Sequence, residues 1–519
     1  MNYLNYATAL SALIPSAALA EEATGTDIVV TASGIEQPRD QVGQAITVID
    51  KDKLDDSQAL AISDLLRTVP GVRVARNGSI GGVTSVFIRG GESSQTLVLI
   101  DGVRINDPSS PNAAFDFGSL LTGNIDRVEI LRGPNSVIWG SQAIGGVVNV
   151  RTEEPSERLS ANAGGAYGYH NTAEVRANVS GTSGKLSGSV GASYFRTDGI
   201  SALAAGSERD GYKNLAANGK LKVAFNDTLS LDLRAYYNKG RAQFDDPFGA
   251  TPDTFPETEN SQFVGYVGLN ADFSEGRFRN RIAYTRTDLH RVGIESNVPF
   301  SFNVNDLKGK IDRFEYQGAF DVVEAVTLVF GVEHERTFAS TFFPAGGGTG
   351  PDQANYRVTS EYGQLIVRPI TGLTLTGGVR HDDYNIYGSQ TTFGGNFAYT
   401  PNAGRTVFRG TYADGFRAPT LTESVLPFGN PALKAETAKS FDLGIEHNFL
   451  DGAVRAMATY YRRKSDNQIA FSFTTFQSEN IAKVINEGLE LELDVRPTPT
   501  SKISARSNLV HPTRRSNAR

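Results

Sequence analysis

The chain has no cysteine, two methionines and one tryptophan among its 519 residues. Without cysteine there is neither a disulfide framework nor thiolate chemistry. No apolar run reaches the length of about eighteen residues that a membrane-spanning helix needs, and the mean hydropathy is −0.27. A net charge of −7 argues against a nucleic-acid partner, whose phosphates call for a basic surface. The GxGxxG, Walker A, HExxH and GxSxG patterns are absent, and six scattered histidines show no metal-ligand spacing. No enzyme activity and no required cofactor are expected.

What the chain has in quantity is glycine and aromatics: 54 Gly, 29 Phe and 19 Tyr. That mixture suits many short strands joined by turns. It also allows a transmembrane β-barrel, whose lipid-facing and lumen-facing side chains alternate and average to a mildly polar sequence. The N-terminus reads as an export signal. An apolar stretch from Ala7 to Ala20 ends in Ala18-Leu19-Ala20, small residues fitting a cleavage site before Glu21, although no Lys or Arg precedes the stretch. Residues 1–20 are therefore expected to be a signal peptide, cleaved after export.

Three zones follow. Residues 21–33 form a short polar segment around one strand-like hexapeptide. Residues 34–153 read as an α+β globule, with a helix capped by Ser57 and running through Leu66 to a stop at Pro70-Gly71. Strand-like runs in this zone lie at 85–90, 96–105, 126–133 and 146–152. From about residue 156 the chain alternates. Leu229, Leu231, Leu233, Ala235 and Tyr237 share one face, with Ser230, Asp232, Arg234 and Tyr236 on the other. The same period returns at 373–379, at 441–445 (Phe441, Leu443, Ile445) and at 489–495 (Leu489, Leu491, Leu493, Val495). One apolar and one polar face suit lipid outside and water inside. A soluble β-sandwich or propeller is the alternative, but no blade-length repeat supports it.

Several motifs, in order, carry a family resemblance: DIVVTA (27–32), DLLRTVPGVRV (64–74), IRGG (88–91), VLIDGVRIN (98–106), VEILRGPNSVIWGSQAIGGVVNV (128–150), GFRAPTLTESVLPFGNPALKAET (415–437) and NEGLELEL (486–493). Together they resemble the TonB-dependent outer-membrane receptor family, most closely its cobalamin (vitamin B12) receptor branch. The resemblance implies a mainly β fold, an antiparallel transmembrane barrel of about 22 strands with an N-terminal α+β plug domain in its lumen. Asp27, Ile28, Val29, Val30, Thr31 and Ala32 would form the TonB box, a tether able to add as a strand to the edge of TonB's sheet. The implied activity is TonB-dependent uptake across the outer membrane of a corrinoid, with a ferric siderophore as the alternative cargo. The implied partners are TonB, a small-molecule cargo (corrinoid or metal chelate) and outer-membrane lipid. The zones then become a signal peptide (1–20), a box tether (21–33), a plug (34–153), a partial barrel (156–509) and an irregular tail (510–519).

Within the plug, Arg89, Asp101, Glu129 and Arg132 lie on strand-like segments expected in a polar lumen. One reading makes them plug–barrel ion pairs that loosen during transport; the other has them satisfy one another and fix the plug's fold. The cobalamin branch further implies calcium bound by acidic loop residues. Glu208, Asp210 and Asp245 match part of that pattern, whereas Ser201 and Asn238 stand where carboxylates are expected; solvated acidic loops are the plain alternative. The segment 240–260 carries Asp245, Asp246, Asp253, Glu257 and Glu259 against Arg241 alone, which favours a neutral or cationic cargo or an ion-ordered loop. The segment 338–352, with Phe338, Phe342 and Phe343, is expected to be an aromatic loop. Alternating segments counted from Leu159 number roughly 17, so about five barrel strands are expected to be missing, and an inactive truncated receptor is a third reading. A shorter barrel of about 16 or 18 strands is the alternative.

Overall fold

The computed structural model describes residues 28–29, 31–203, 206–245, 256–295, 304–344, 350–402, 404–427, 429–498 and 501–516. The expected signal peptide, together with Asp27 and Val30, lies outside the described residues.

From Ser160–Gly168 to Ser501–Ser516 the chain builds one sheet of 17 strands, each antiparallel to its neighbours in sequence order. Side-chain alternation explains its two faces. Phe441, Leu443 and Ile445 are 43–45% exposed, while Ser440, Asp442 and Glu446 between and beside them are buried. Leu491 and Leu493 likewise point outward, and Glu490, Glu492 and Asp494 point inward. Apolar residues thus cover the outer face and polar residues the inner one, as a sheet between lipid and a polar interior requires. The final strand continues past residue 509, where the side-chain pattern ends, to Ser516. A backbone ladder such as Lys483–Ser516 and Val484–Arg515 needs no apolar alternation to form.

The connections orient the sheet. At one end neighbouring strands are joined by tight turns, as between Val323 and Val326 or Ile370 and Leu373. At the other end the strands are joined over longer stretches of chain, as between Thr197 and Tyr212 or Arg417 and Glu436. Short periplasmic turns and long extracellular loops are the rule for such sheets.

The N-terminal globule packs against the inner face. Its five-stranded sheet has the order Ala45–Ile49, Ile125–Arg132, Gly146–Thr152, Thr96–Ile100, Val103–Arg104. Ile49, Leu65, Ile88, Val98, Ile130 and Val148 form its core. The strand-like runs expected here are present. The helix is different: instead of one helix from Ser57, there are two, Lys51–Ser57 and Ile62–Leu66. Asp50 caps the first by accepting from the Lys53 amide at 2.9 Å, and Gln58 ends it in the left-handed region at φ 50°. An aspartate at the cap satisfies an orphan N–H, and that local gain places Ser57 at the end of a helix.

The expected aromatic loop at 338–352 is also revised. Phe338 and Phe342 sit on the strand Val326–Phe342, and the next strand begins at Asp352. Glu257 and Glu259 belong to the strand Pro256–Phe273, where Arg241 pairs with both and Lys239 with Glu259. The acidity read for 240–260 is therefore partly neutralised across the strands.

Candidate functional site

The segment expected to be a tether is docked. Ile28 and Val29 pair antiparallel with Pro38 and Gln37, and Val29, Thr31 and Ala32 are buried. Thr31 is held from three directions. Its amide and hydroxyl donate to Glu129 Oε2 at 3.1 and 2.5 Å. Its carbonyl accepts from the Trp139 indole at 2.7 Å and from Asn135 Nδ2 at 3.0 Å. Asn135 also donates to the Ala32 carbonyl at 3.1 Å, and Arg127 donates to the Ile28 carbonyl. Glu129 thus serves the docked segment, within the plug.

The Ser136–Trp139 helix that carries the indole is itself gripped at its carbonyl end. Arg104 Nη2 donates to the Trp139 carbonyl at 2.6 Å, and Arg380 of the barrel sheet donates to the Ile138 carbonyl at 3.2 Å. Arg104 lies 3.5 Å from Glu335, and Arg380 lies 2.6 Å from Glu333. Arg104 also lines a recess at the long-loop end, with Gln142 of the plug, Tyr356 of the sheet and Leu421 of the segment 418–435. Contacts therefore run without a gap from that recess to Thr31.

The plug residues singled out do not satisfy one another through their side chains. Arg89 donates to Glu490 at 2.9 and 3.0 Å and to Asp442 at 2.7 Å, and its guanidinium lies 4.5 Å from the centre of the Tyr461 ring. Arg132 reaches Glu490 at 2.9 Å and Glu492 at 3.3 Å. Asp101 meets Lys220 at 2.8 Å and accepts from Thr152. Burial alone would lower the Arg89 pKa, but Asp442 and Glu490 raise it above the ordinary guanidinium value. Three of the four residues join plug to sheet. Glycines make room for the junction: Gly71 lies at φ +74°, and a Cβ there would fall 2.2 Å from Glu490 Oε1. A side chain at Gly91 would meet Arg463 Nη2 at 2.6 Å.

Sequence reasoning missed the barrel partners Asp442, Glu490 and Glu492, as well as Asn135 and Trp139. The signal for the first three was present: acidic residues on the polar face of strands whose leucines face lipid. For Asn135 and Trp139 no periodic signal exists, because a four-residue helix shows no amphipathic pattern.

At the long-loop end, Glu208, Asp210 and Asp245 come together, with one carboxylate oxygen of each within 4.8 Å of the others. Among the described residues this is the one cluster of three or more such groups. Asp245 Oδ2 accepts from the Leu203 amide at 2.7 Å, whereas its buried Oδ1 has no hydrogen-bond donor among the described residues. Asp210 accepts from the Ala202 amide at 2.7 Å. Burial raises the Asp210 pKa, the Ala202 amide offsets part of that, and Asp245 adds to it. Clustered hard oxygens, one without a donor, fit a divalent cation. Ser201 borders the cluster, 3.4 Å from Asp245 Oδ2, while Asn238 turns away and donates to the Ser119 carbonyl of the plug.

Two family models match the chain: the TonB dependent receptor-like beta-barrel over residues 203–511 and the TonB-dependent Receptor Plug Domain over 38–147. The vitamin B12 transporter BtuB of Photobacterium profundum is 30% identical over 478 residues, covering 90% of this chain and 74% of that protein. BtuB of Vibrio vulnificus is 27% identical over 493 residues, covering 91% and 76%. Among solved structures, the siderophore receptor PirA from Acinetobacter baumannii matches with a TM-score of 0.74 at 20% identity, covering 93% of this chain and 82% of that one. The ferric yersiniabactin uptake receptor FyuA from Yersinia pestis matches at 0.73 and 18%, covering 91% and 79%. At such identities these structures speak for the fold alone.

Proposed function

The chain belongs to the TonB-dependent receptor family, and on that premise we propose that it carries a corrinoid across the outer membrane. TonB-dependent transport is the activity of the family. The cargo reading rests on the similarity to cobalamin transporters, one of which is 30% identical over a match that covers 90% of this chain. The docked Thr31–Ala32 segment, linked through Trp139 and Arg104 to the outward recess, supports the transport reading physically. Cargo pressing on Arg104 at the mouth of the recess would act on the Trp139 carbonyl and, through that residue, on the indole bond to Thr31, and TonB captures the box when that contact lets go. Calcium at Glu208, Asp210 and Asp245 would supply charge neutralisation that fixes the loop 198–211 against Asp245 beside the cargo entrance.

The test is uptake of labelled cyanocobalamin by cells that lack their own cobalamin receptor and express this chain, with TonB present or absent. Uptake above background only in the presence of TonB is the expected result. Uptake of a ferric siderophore in place of cobalamin would move the cargo reading to the second class, which the fold neighbours PirA and FyuA represent.

A further inference from the structure

The outer face of the sheet carries an aromatic belt near the tight turns, where Phe273, Phe278 and Phe320 stand side by side at 6.4 and 5.7 Å. From Phe273 to Phe263 a tilted strand climbs about 25 Å, the height of the apolar band of such sheets. Phe263 is paired by register with Asp288, which in turn is paired with Lys310. That row marks the upper edge of the band, at the end that carries the long loops.

At this level the outward side chains on neighbouring strands carry more basic than acidic groups. Register aligns Arg286, Asp312, Arg336 and Arg357 across the strands Phe278–Glu295, Asn305–Val323, Val326–Phe342 and Asp352–Ile370. Lys310 lies one step above Asp312 on the same face. The carboxylates there are already engaged. Asp288 takes two bonds from Arg286, at 2.7 and 2.9 Å. Asp312 takes Arg286 at 2.8 Å and Tyr284 at 2.5 Å. Asp306 takes Lys308 at 3.0 Å and His290 at 2.9 Å. Asp383, on the strand beyond Arg357, makes no ion pair with it among the described residues.

Lys310, Arg336 and Arg357 are exposed and have no ion-pair partner among the described residues. Arg336 and Arg357 stand directly opposite each other on adjacent strands, a like-charge pairing that opposes sheet formation unless an anion lies between. Two guanidiniums present forks of donors suited to phosphate oxygens. Long cationic side chains at the edge of an apolar band reach the headgroup layer.

We propose that Lys310, Arg336 and Arg357 form a binding patch for the phosphate of an anionic lipid headgroup in the outer leaflet. The lipid's acyl chains would lie below, along Phe314, which is 61% exposed, and Val332, 47% exposed. The inference rests on the sheet's placement in the outer membrane and is independent of the cargo.

The test is native mass spectrometry of the purified full chain in detergent, titrated with diphosphorylated lipid A, with its dephosphorylated form, and with inorganic phosphate. Wild type is expected to retain the diphosphorylated lipid at roughly tenfold lower concentration than K310Q/R336Q/R357Q. The dephosphorylated lipid should not distinguish the two proteins, and millimolar phosphate should not displace the bound lipid. An R277Q/R405Q variant, altered at the tight-turn end, should match wild type. If the triple variant does not fold, R336Q and R357Q singly carry the test, each expected to weaken retention about threefold. Retention within twofold of wild type in the folded variants, equal binding of the dephosphorylated lipid, or displacement by free phosphate each overturns the proposal. Cobalamin uptake enters none of these readouts, so the two readings fail separately.

Discussion

Arg89 and Glu490 are 401 residues apart in sequence, yet they form a two-pronged buried ion pair at 2.9 and 3.0 Å that ties the plug to the sheet. Glu490 also receives Arg132 at 2.9 Å. Replacing it by alanine leaves two buried guanidiniums short of a partner, at a cost of about 3–5 kcal/mol. For Glu490→Ala we expect hydrogen exchange to accelerate in the plug strands Thr84–Ile88 and Ile125–Arg132 while the outer strands stay protected. Unchanged exchange in both would mean that the remaining pairs with Asp442 and Glu492 suffice to anchor the plug.

Trp139→Phe keeps the ring packed and removes the indole N–H that donates to the Thr31 carbonyl at 2.7 Å. The net loss is about 1 kcal/mol, enough to raise the population of the released box several-fold. We expect a soluble TonB C-terminal fragment to bind this variant more tightly than wild type in the absence of cargo. Equal binding would show that the remaining bonds, from Arg127 and Asn135 and to Glu129, set the docking equilibrium.

Much of the fold is legible in the sequence for a physical reason. A strand between lipid and a polar interior must alternate, so the spacing of Phe441, Leu443 and Ile445 is enough to assign them to one face. The polar partners are harder, because burial inverts their meaning. Glu490 and Glu492 look solvated in a strand such as NEGLELEL, and only the plug arriving from far away in sequence makes them buried. The box illustrates the opposite error. Its residues read as a tether, but Val29 and Thr31 are buried, and Thr31 finds its partners on segments about 100 residues later, at Glu129 and Trp139. The carboxylate cluster was legible in part: Glu208, Asp210 and Asp245 do converge, whereas Asn238 faces the plug, which spacing alone does not reveal.

The linker after the plug carries an acid-sensitive contact. Glu154 bonds Arg151 at 2.7 Å and Lys220 at 2.8 Å. Burial alone would raise its pKa, but Lys220 and Arg151 outweigh that and hold it at about 2. A depressed carboxylate stabilises the fold above its unfolded value near 4.5 and loses that contribution as pH falls toward about 2. Comparing wild type with Glu154→Gln by protease cleavage at 153–159, we expect wild type to be better protected at pH 6 and the difference to vanish near pH 2. A difference that grows on acidification would reverse the assignment.

The carboxylate cluster behaves in the opposite sense. Burial raises the Asp210 pKa, with Asp245 adding to it against the Ala202 amide. A raised carboxylate binds its proton more tightly in the folded state, so its contribution to loop stability is fully present below the ordinary aspartate range and is lost as pH rises through the folded value. A divalent cation bound there would replace that proton and remove the loss. Without calcium, exchange at 198–203 should therefore quicken between acid and neutral pH; with millimolar calcium it should stay slow at neutral pH. Asp245→Asn removes one carboxylate charge and weakens the repulsion, so the variant should show a smaller pH dependence and an apparent calcium affinity lower by at least about tenfold. If calcium leaves exchange at neutral pH unchanged in wild type, the cluster holds no cation.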